Sequence, residues 1–172
     1  LPVEITDCII KDAIQAFDLK NDVPFSFTGN IFENNYSDVL LTNYFGAISP
    51  NVFVGNVFKG TSLLSPYSGQ QKFAAIQLVN VKNITIGKDV SGSENEFSNS
   101  LYGLKSENAS FTLLNNIFSQ IGDITNSTTP GACVFATSDF DFSDREIKIG
   151  NGFNTGGENI FKNSTNGVVI KG

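Results

Sequence analysis

Residues 25–34 read FSFTGNIFEN, and this ten-residue phrase returns along the chain. Residues 3–12 read VEITDCIIKD, residues 51–60 NVFVGNVFKG and residues 111–120 FTLLNNIFSQ. Each copy opens with alternating apolar positions, reaches a polar residue, and places a bulky apolar residue two positions later. The polar column is Cys8, Asn30, Asn56 and Asn116; the apolar column is Ile10, Phe32, Phe58 and Phe118. Two further copies carry inserts. NITI at 83–86 rejoins at NEFSN (95–99), adding Asn95 and Phe97, and EIKI at 146–149 rejoins at NIFKN (159–163), adding Asn159 and Phe161. A repeat of about 20–35 residues built on short strands reads as a solenoid.

Each copy implies the same plan: an alternating strand, the polar-x-Phe corner, a turn rich in Asn and Ser (Asn34–Asn35, Asn99–Ser100, Asn163–Ser164), then a closing strand. The closing strands carry Phe17/Leu19, Val39/Leu41, Ile76/Leu78, Leu104, Val134 and Val168/Ile170. The expected architecture is one all-β domain over residues 1–172. It has about six turns: 3–22, 23–49, 50–81, 82–108, 109–144 and 145–172. The gaps are too short for the helical crossovers of a βαβ sheet, and no 3.6-residue apolar period fills them. Parallel stacking in register sets like side chains about 4.8 Å apart. Phe then stacks on Phe, and Asn bonds to Asn up the column. The expected ladders are Asn30, Asn56, Asn95, Asn116 and Asn159, beside Phe32, Phe58, Phe97, Phe118 and Phe161. Gly29, Gly55, Gly103 and Gly167 read as bends with positive φ.

The phrases FSFTGNIFENNYSDVLL (25–41), ITIG with NEFSNSLYGL, and IKIG with NIFKNSTNGVVI resemble the right-handed parallel β-helix repeats of the pectate-lyase-like superfamily. The likeness covers essentially the whole chain. It implies a right-handed parallel β-helix, the hand that parallel crossovers also favour. It does not specify an activity, because that superfamily hosts lyases, hydrolases, epimerases, tailspikes, adhesins and stalks. The Asn- and Phe-rich style resembles secreted bacterial repeat proteins.

Bulk composition narrows the partners. Charged residues are 16% of the 172, the net charge is −6, and Arg145 is the only arginine. No basic stripe exists for nucleic acid, nor for an anionic membrane. No apolar run reaches the roughly 18 residues of a membrane span. The chain has no Met, and both ends fall inside repeats. A β-helix truncated at both ends is therefore expected, a fragment of a larger secreted or cell-surface protein. Flanking turns of the same parent chain, or end-to-end stacking, would cover the ends. Cys8 and Cys133 fall in the first and fifth turns, roughly 19 Å apart at the spacing of stacked strands. That exceeds the reach of a disulfide, so both are expected as buried small apolar residues.

The chain has no histidine, which removes Ser-His-Asp and Cys-His catalysis and every His-containing zinc site. The hydrolases of the resembled superfamily use paired aspartates and the lyases use calcium-binding carboxylates with a basic residue; neither pattern is written here. The best acidic cluster is Asp139-Phe-Asp141-Phe-Ser-Asp144, followed by Arg145. Alternation puts Asp139 and Asp141 on one outward face about 7 Å apart, the reach of a shared calcium ion or of a glycosidic bond. The plainer reading is an acidic solvated strand with Arg145 as its counter-charge. No cofactor is expected, calcium being the one left open.

The inserts at 59–72 and 121–131 leave the third and fifth turns at the same corner. They should flank the shorter fourth turn and make a groove, where Tyr67 and Tyr102 offer ring faces and Gln70, Gln71, Asn126 and Thr128 offer polar contacts to a sugar. The N-x-Ser/Thr sequons at Asn35, Asn83, Asn108, Asn126 and Asn163 are what so Asn- and Ser-rich a chain produces by chance. The leading expectation is a non-catalytic segment acting as a structural, adhesin or glycan-binding module, its partner a polysaccharide or surface glycan. The alternative is a polysaccharide lyase or glycoside hydrolase acting on acidic polysaccharide. Ice binding ranks third, since no regular Thr-x-Thr column is present.

Overall fold

The computed structural model describes residues 2–45, 51–61, 63–123, 130–138, 146–150 and 157–172. Among them are eighteen strands and no helix. They come in threes. The first unit is β1 (Val3–Thr6), β2 (Ile9–Lys11) and β3 (Gln15–Lys20); the second is β4 (Phe25–Thr28), β5 (Ile31–Glu33) and β6 (Ser37–Tyr44). The third is β7 (Asn51–Val54), β8 (Val57–Lys59) and β9 (Lys72–Val81); the fourth is β10 (Ile84–Gly87), β11 (Asn95–Ser98) and β12 (Ser100–Glu107). The fifth is β13 (Phe111–Leu114), β14 (Asn116–Ser119) and β15 (Ala132–Thr137); the sixth is β16 (Ile147–Ile149), β17 (Ile160–Lys162) and β18 (Val168–Lys171).

Every pairing is parallel and joins a strand to its counterpart in the neighbouring unit. The second strands form one six-stranded sheet, and the third strands another. The first strands form two three-stranded sheets, β1-β4-β7 and β10-β13-β16. The chain is thus all-β, with parallel strands in stacked sheets, an arrangement compatible with a β-solenoid. The sequence plan had two strands per repeat. The polar-x-Phe corner is itself a short strand, since Phe32, Phe58, Phe97, Phe118 and Phe161 pair in register.

Both ladders form. Phe32, Phe58, Phe97, Phe118 and Phe161 stack nearly parallel, with ring centroids 4.7, 4.9, 4.6 and 5.2 Å apart. In the Asn column each side chain works in both directions. Asn56 Nδ2 donates to Phe27 O of the preceding unit (2.7 Å) and to Asn95 Oδ1 of the next (3.0 Å). Its Oδ1 accepts from Asn30 N and Asn30 Nδ2, both at 3.1 Å. The same pattern continues through Asn95, Asn116 and Asn159. Buried polar groups are tolerated because each has partners.

The bend after the second strand falls on Asp12, Asn34, Asn99, Gln120 and Asn163, all with positive φ. Asn and Asp are the side chains that enter this region most readily, which accounts for the Asn-rich turns. Gly29 and Gly55 take positive φ as expected, but Gly103 and Gly167 do not. Gly103 is a close-approach residue inside β12: a Cβ there would lie 2.6 Å from the Phe118 ring and 2.7 Å from Cys133 O. Both cysteines are free. Cys133 is buried as expected; Cys8 is exposed, because no described unit covers the outer edge of β1–β3.

Candidate functional site

Of the predicted binding residues, Asn126 and Thr128 lie outside the described residues, as do Asp139, Asp141 and Arg145. Tyr67, Gln70 and Tyr102 are described, and the structure places them differently from one another. Tyr67 lies in the insert between β8 and β9. Its ring stacks on Tyr36, with centroids 3.9 Å apart and planes 16° apart, so one of its faces is taken by the protein itself. Tyr36 in turn stacks on Phe73, which meets Tyr102 edge-on at 5.6 Å, and Tyr102 leans on Phe135 at 5.3 Å. Tyr67 and Tyr102 therefore belong to one aromatic run along the outside of the third-strand sheet.

Tyr102 is buried rather than presented to solvent. Its register neighbours are Ala74 and Ala132, both fully buried. Small residues on either side leave space for the ring to lie across the sheet. The run ends at Phe135, half-buried like Tyr36, Tyr67 and Phe73, at an outward position in β15 that strand alternation could have marked. A cleft of about 210 Å³ opens there, lined by Tyr102, Pro130, Phe135, Asn166, Val169 and Lys171 among others. Lys171 Nζ stands 5.5 Å from the centre of the Phe135 ring, and Lys105 Nζ 5.4 Å from that of Phe73, both within cation–π range. Asn166 Nδ2 donates to Gly131 O at 2.8 Å.

The two inserts do leave at the same corner, between second and third strands. They meet across the fourth unit instead of standing apart. Gln71 Nε2 donates to Gly122 O at 3.1 Å, and Gly122 N donates to Ser100 O at 2.9 Å. A cleft of about 190 Å³ remains beside this bridge, lined by Thr61, Leu63, Gln70, Gln71, Lys72 and Asn99 with Gly60.

Beneath that cleft lies a buried ion pair that the sequence reading missed. Lys72 Nζ meets Asp38 Oδ2, and neither side chain is exposed. Asn35 Nδ2 donates to Asp38 Oδ1 (2.9 Å), and Lys72 Nζ reaches Lys59 O (3.4 Å). Burial pushes the Asp38 carboxyl up to about 6, against the pull of Lys72 and the bonds from Lys72 and Asn35. Burial likewise lowers Lys72, against the field of Asp38. In both groups desolvation outweighs the attraction. Gly60 makes room for the lysine stem, since a Cβ there would stand 2.7 Å from Lys72 Cβ. The pair ties the start of β9 to β6 and anchors the insert at its C-terminal end.

Among the described residues, no three His, Cys, Asp or Glu side chains are placed to hold a metal ion together. Among the described residues, no helix is long and apolar enough to cross a membrane. Comparison with protein-family models, curated proteins and solved structures finds no match to this chain. The β-helix likeness therefore rests on the repeat motifs and the parallel strand pairing.

Proposed function

We propose that this chain is a non-catalytic segment of a secreted or cell-surface protein, a right-handed parallel β-helix of six turns of the pectate-lyase-like kind, and that it binds glycans on its outer face. The observation that carries this reading is the cleft at Phe135. It combines aromatic surface from Phe135 and Tyr102 with the polar ends of Asn166 and Lys171. Ligand sites typically pair apolar ring surface with a few placed polar groups, and a pyranose offers C–H faces to the one and hydroxyls to the other. The rigid stacked sheet holds the aromatic run in place, which lowers the ordering cost of binding.

The test is native affinity electrophoresis of the chain through gels cast with polygalacturonate, alginate, xylan and host-type glycans, with and without calcium. Retardation is expected, without clearing of the gel, and it should be lost in Phe135→Ala. Free migration in every gel would remove the glycan-binding reading and leave a structural stalk. Clearing would replace it with a lyase or hydrolase. Calcium dependence would bear on the separate expectation of a cation at Asp139 and Asp141.

A further inference from the structure

We infer that the Lys72 amine and the Asp38 carboxyl condense in the folded chain, releasing water and leaving an intramolecular amide cross-link between β9 and β6. The other ion pairs printed by the described residues, Lys20–Asp18, Lys59–Glu33 and Lys148–Glu146, stand at least partly in water. In this one neither side chain is exposed. An amine and a carboxyl held in contact out of water are the two halves of an amide. In solution, hydration keeps such groups as ions, which do not react with one another; burial removes that hydration. Here it pushes both groups toward their neutral forms, the Asp38 carboxyl up to about 6 and the Lys72 ammonium down.

The surroundings give each carboxyl oxygen its own task. Asp38 Oδ1 accepts from Asn35 Nδ2 at 2.9 Å. That donor stabilises the negative charge that develops on Oδ1 when Cγ is attacked. Oδ2 faces Lys72 Nζ and makes no other hydrogen bond among the described residues, so it is the oxygen that leaves. Starting from the ions, one Nζ proton passes to Oδ2 and gives the neutral pair. The Nζ lone pair then forms the Nζ–Cγ bond, a second Nζ proton follows to Oδ2, and the Cγ–Oδ2 bond breaks. Oδ2 departs as water with both protons, by way of the cleft of about 190 Å³ that Lys72 lines. The third hydrogen stays on the amide nitrogen. No atom changes oxidation state, and no co-reactant is consumed.

The product suits the site better than the reactants do. Two buried charges become one neutral amide, which removes the desolvation cost that both ions carry. Its carbonyl oxygen keeps the Asn35 bond, and Lys59 O, 3.4 Å from Nζ, is the acceptor beside its N–H. The fold supplies the rate, because well-oriented groups in contact react as if at effective concentrations of about 10⁵–10⁸ M. Both cysteines are free, and the amide joins the second and third units as a disulfide would. The ion pair is the state before reaction, and it governs stability for as long as the amide has not formed. None of this depends on whether the Phe135 cleft binds a glycan.

Intact-mass spectrometry of the full chain under denaturing conditions decides the matter, on freshly folded protein and after prolonged warm incubation at neutral pH. The mass should fall below that of the sequence by one water, at once or over the incubation. A tryptic digest should then contain residues 21–59 joined to residues 60–82, uncut at Lys72 and lighter by the same water. The double variant Asp38→Leu with Lys72→Met keeps the site filled without the reacting groups, and it should hold its full mass through the same treatment. A wild-type chain still at full mass after the incubation would overturn the inference. So would a water lost with the two peptides still separate, as in a succinimide elsewhere, or a double variant that loses water as wild type does.

Discussion

Replacing Asn56 with Leu should be among the most damaging single changes this chain can suffer. The side chains are similar in volume, so the loss is polar. Four hydrogen bonds go: two donated by Nδ2, to Phe27 O and Asn95 Oδ1, and two accepted by Oδ1 from Asn30. What matters is who is stranded. Asn95 Oδ1 keeps the backbone N–H of residue 56 at 3.0 Å. Asn30, fully buried, loses the partner of its backbone N–H and one partner of its Nδ2. Two buried donors without partners cost about 1–3 kcal/mol each, so the variant should lose roughly 2–6 kcal/mol. That is a large share of the roughly 5–15 kcal/mol that holds an ordinary domain together. Urea denaturation followed by far-UV circular dichroism measures it. A variant within about 0.5 kcal/mol of wild type, at unchanged m-value, would show that the amide column does not hold the units in register.

The buried ion pair predicts a non-additive cycle: Lys72→Met alone should cost about 3–5 kcal/mol by stranding Asp38, while Asp38→Leu with Lys72→Met should come back close to wild type. Denaturation of all three by urea reads the coupling, and a double variant as weak as the single would refute it. The pair also predicts a pH dependence. Asp38 is raised in the folded state, to about 6. Its contribution to stability is therefore full below its unfolded value near 4 and is lost as pH rises through about 6. Relative to the double variant, wild type should lose stability between these values, and a gain over that window would contradict the burial argument. Finally, Gly103→Ala should cost about 1–3 kcal/mol by overpacking against Phe118 and the Cys133 carbonyl; a thermal melt unchanged from wild type would show that β12 can yield.

The ladders were legible because their cause is local and repeated. A residue type recurring at the same offset from an alternating strand can satisfy itself only against its own kind one unit away. Asn30, Asn56, Phe32 and Phe58 announce the stacking before any coordinate is known. The site was not legible in the same way. Tyr67 and Tyr102 were readable as aromatics in or near an insert, but their exposure was not. Whether a ring faces water depends on what packs on it, and Tyr36 and Phe73 reach them only through the fold. Phe135 was overlooked because a single outward aromatic in a strand carries no mark of the neighbours that make it one wall of a cleft.

The amino-acid order alone therefore determined the all-β class, the repeat and the amide and phenyl columns, because alternation and self-pairing act over a few residues at a time. Only the tertiary structure decided that the polar-x-Phe corner is a third strand and that the inserts bridge through Gln71 and Gly122. It alone brought Lys72 to Asp38, from different units, in the dark beneath Thr61 and Gln70. Those are contacts between dissimilar residues, each made once. No repetition along the chain advertises them, and their energies come from burial, which exists only after the units have stacked.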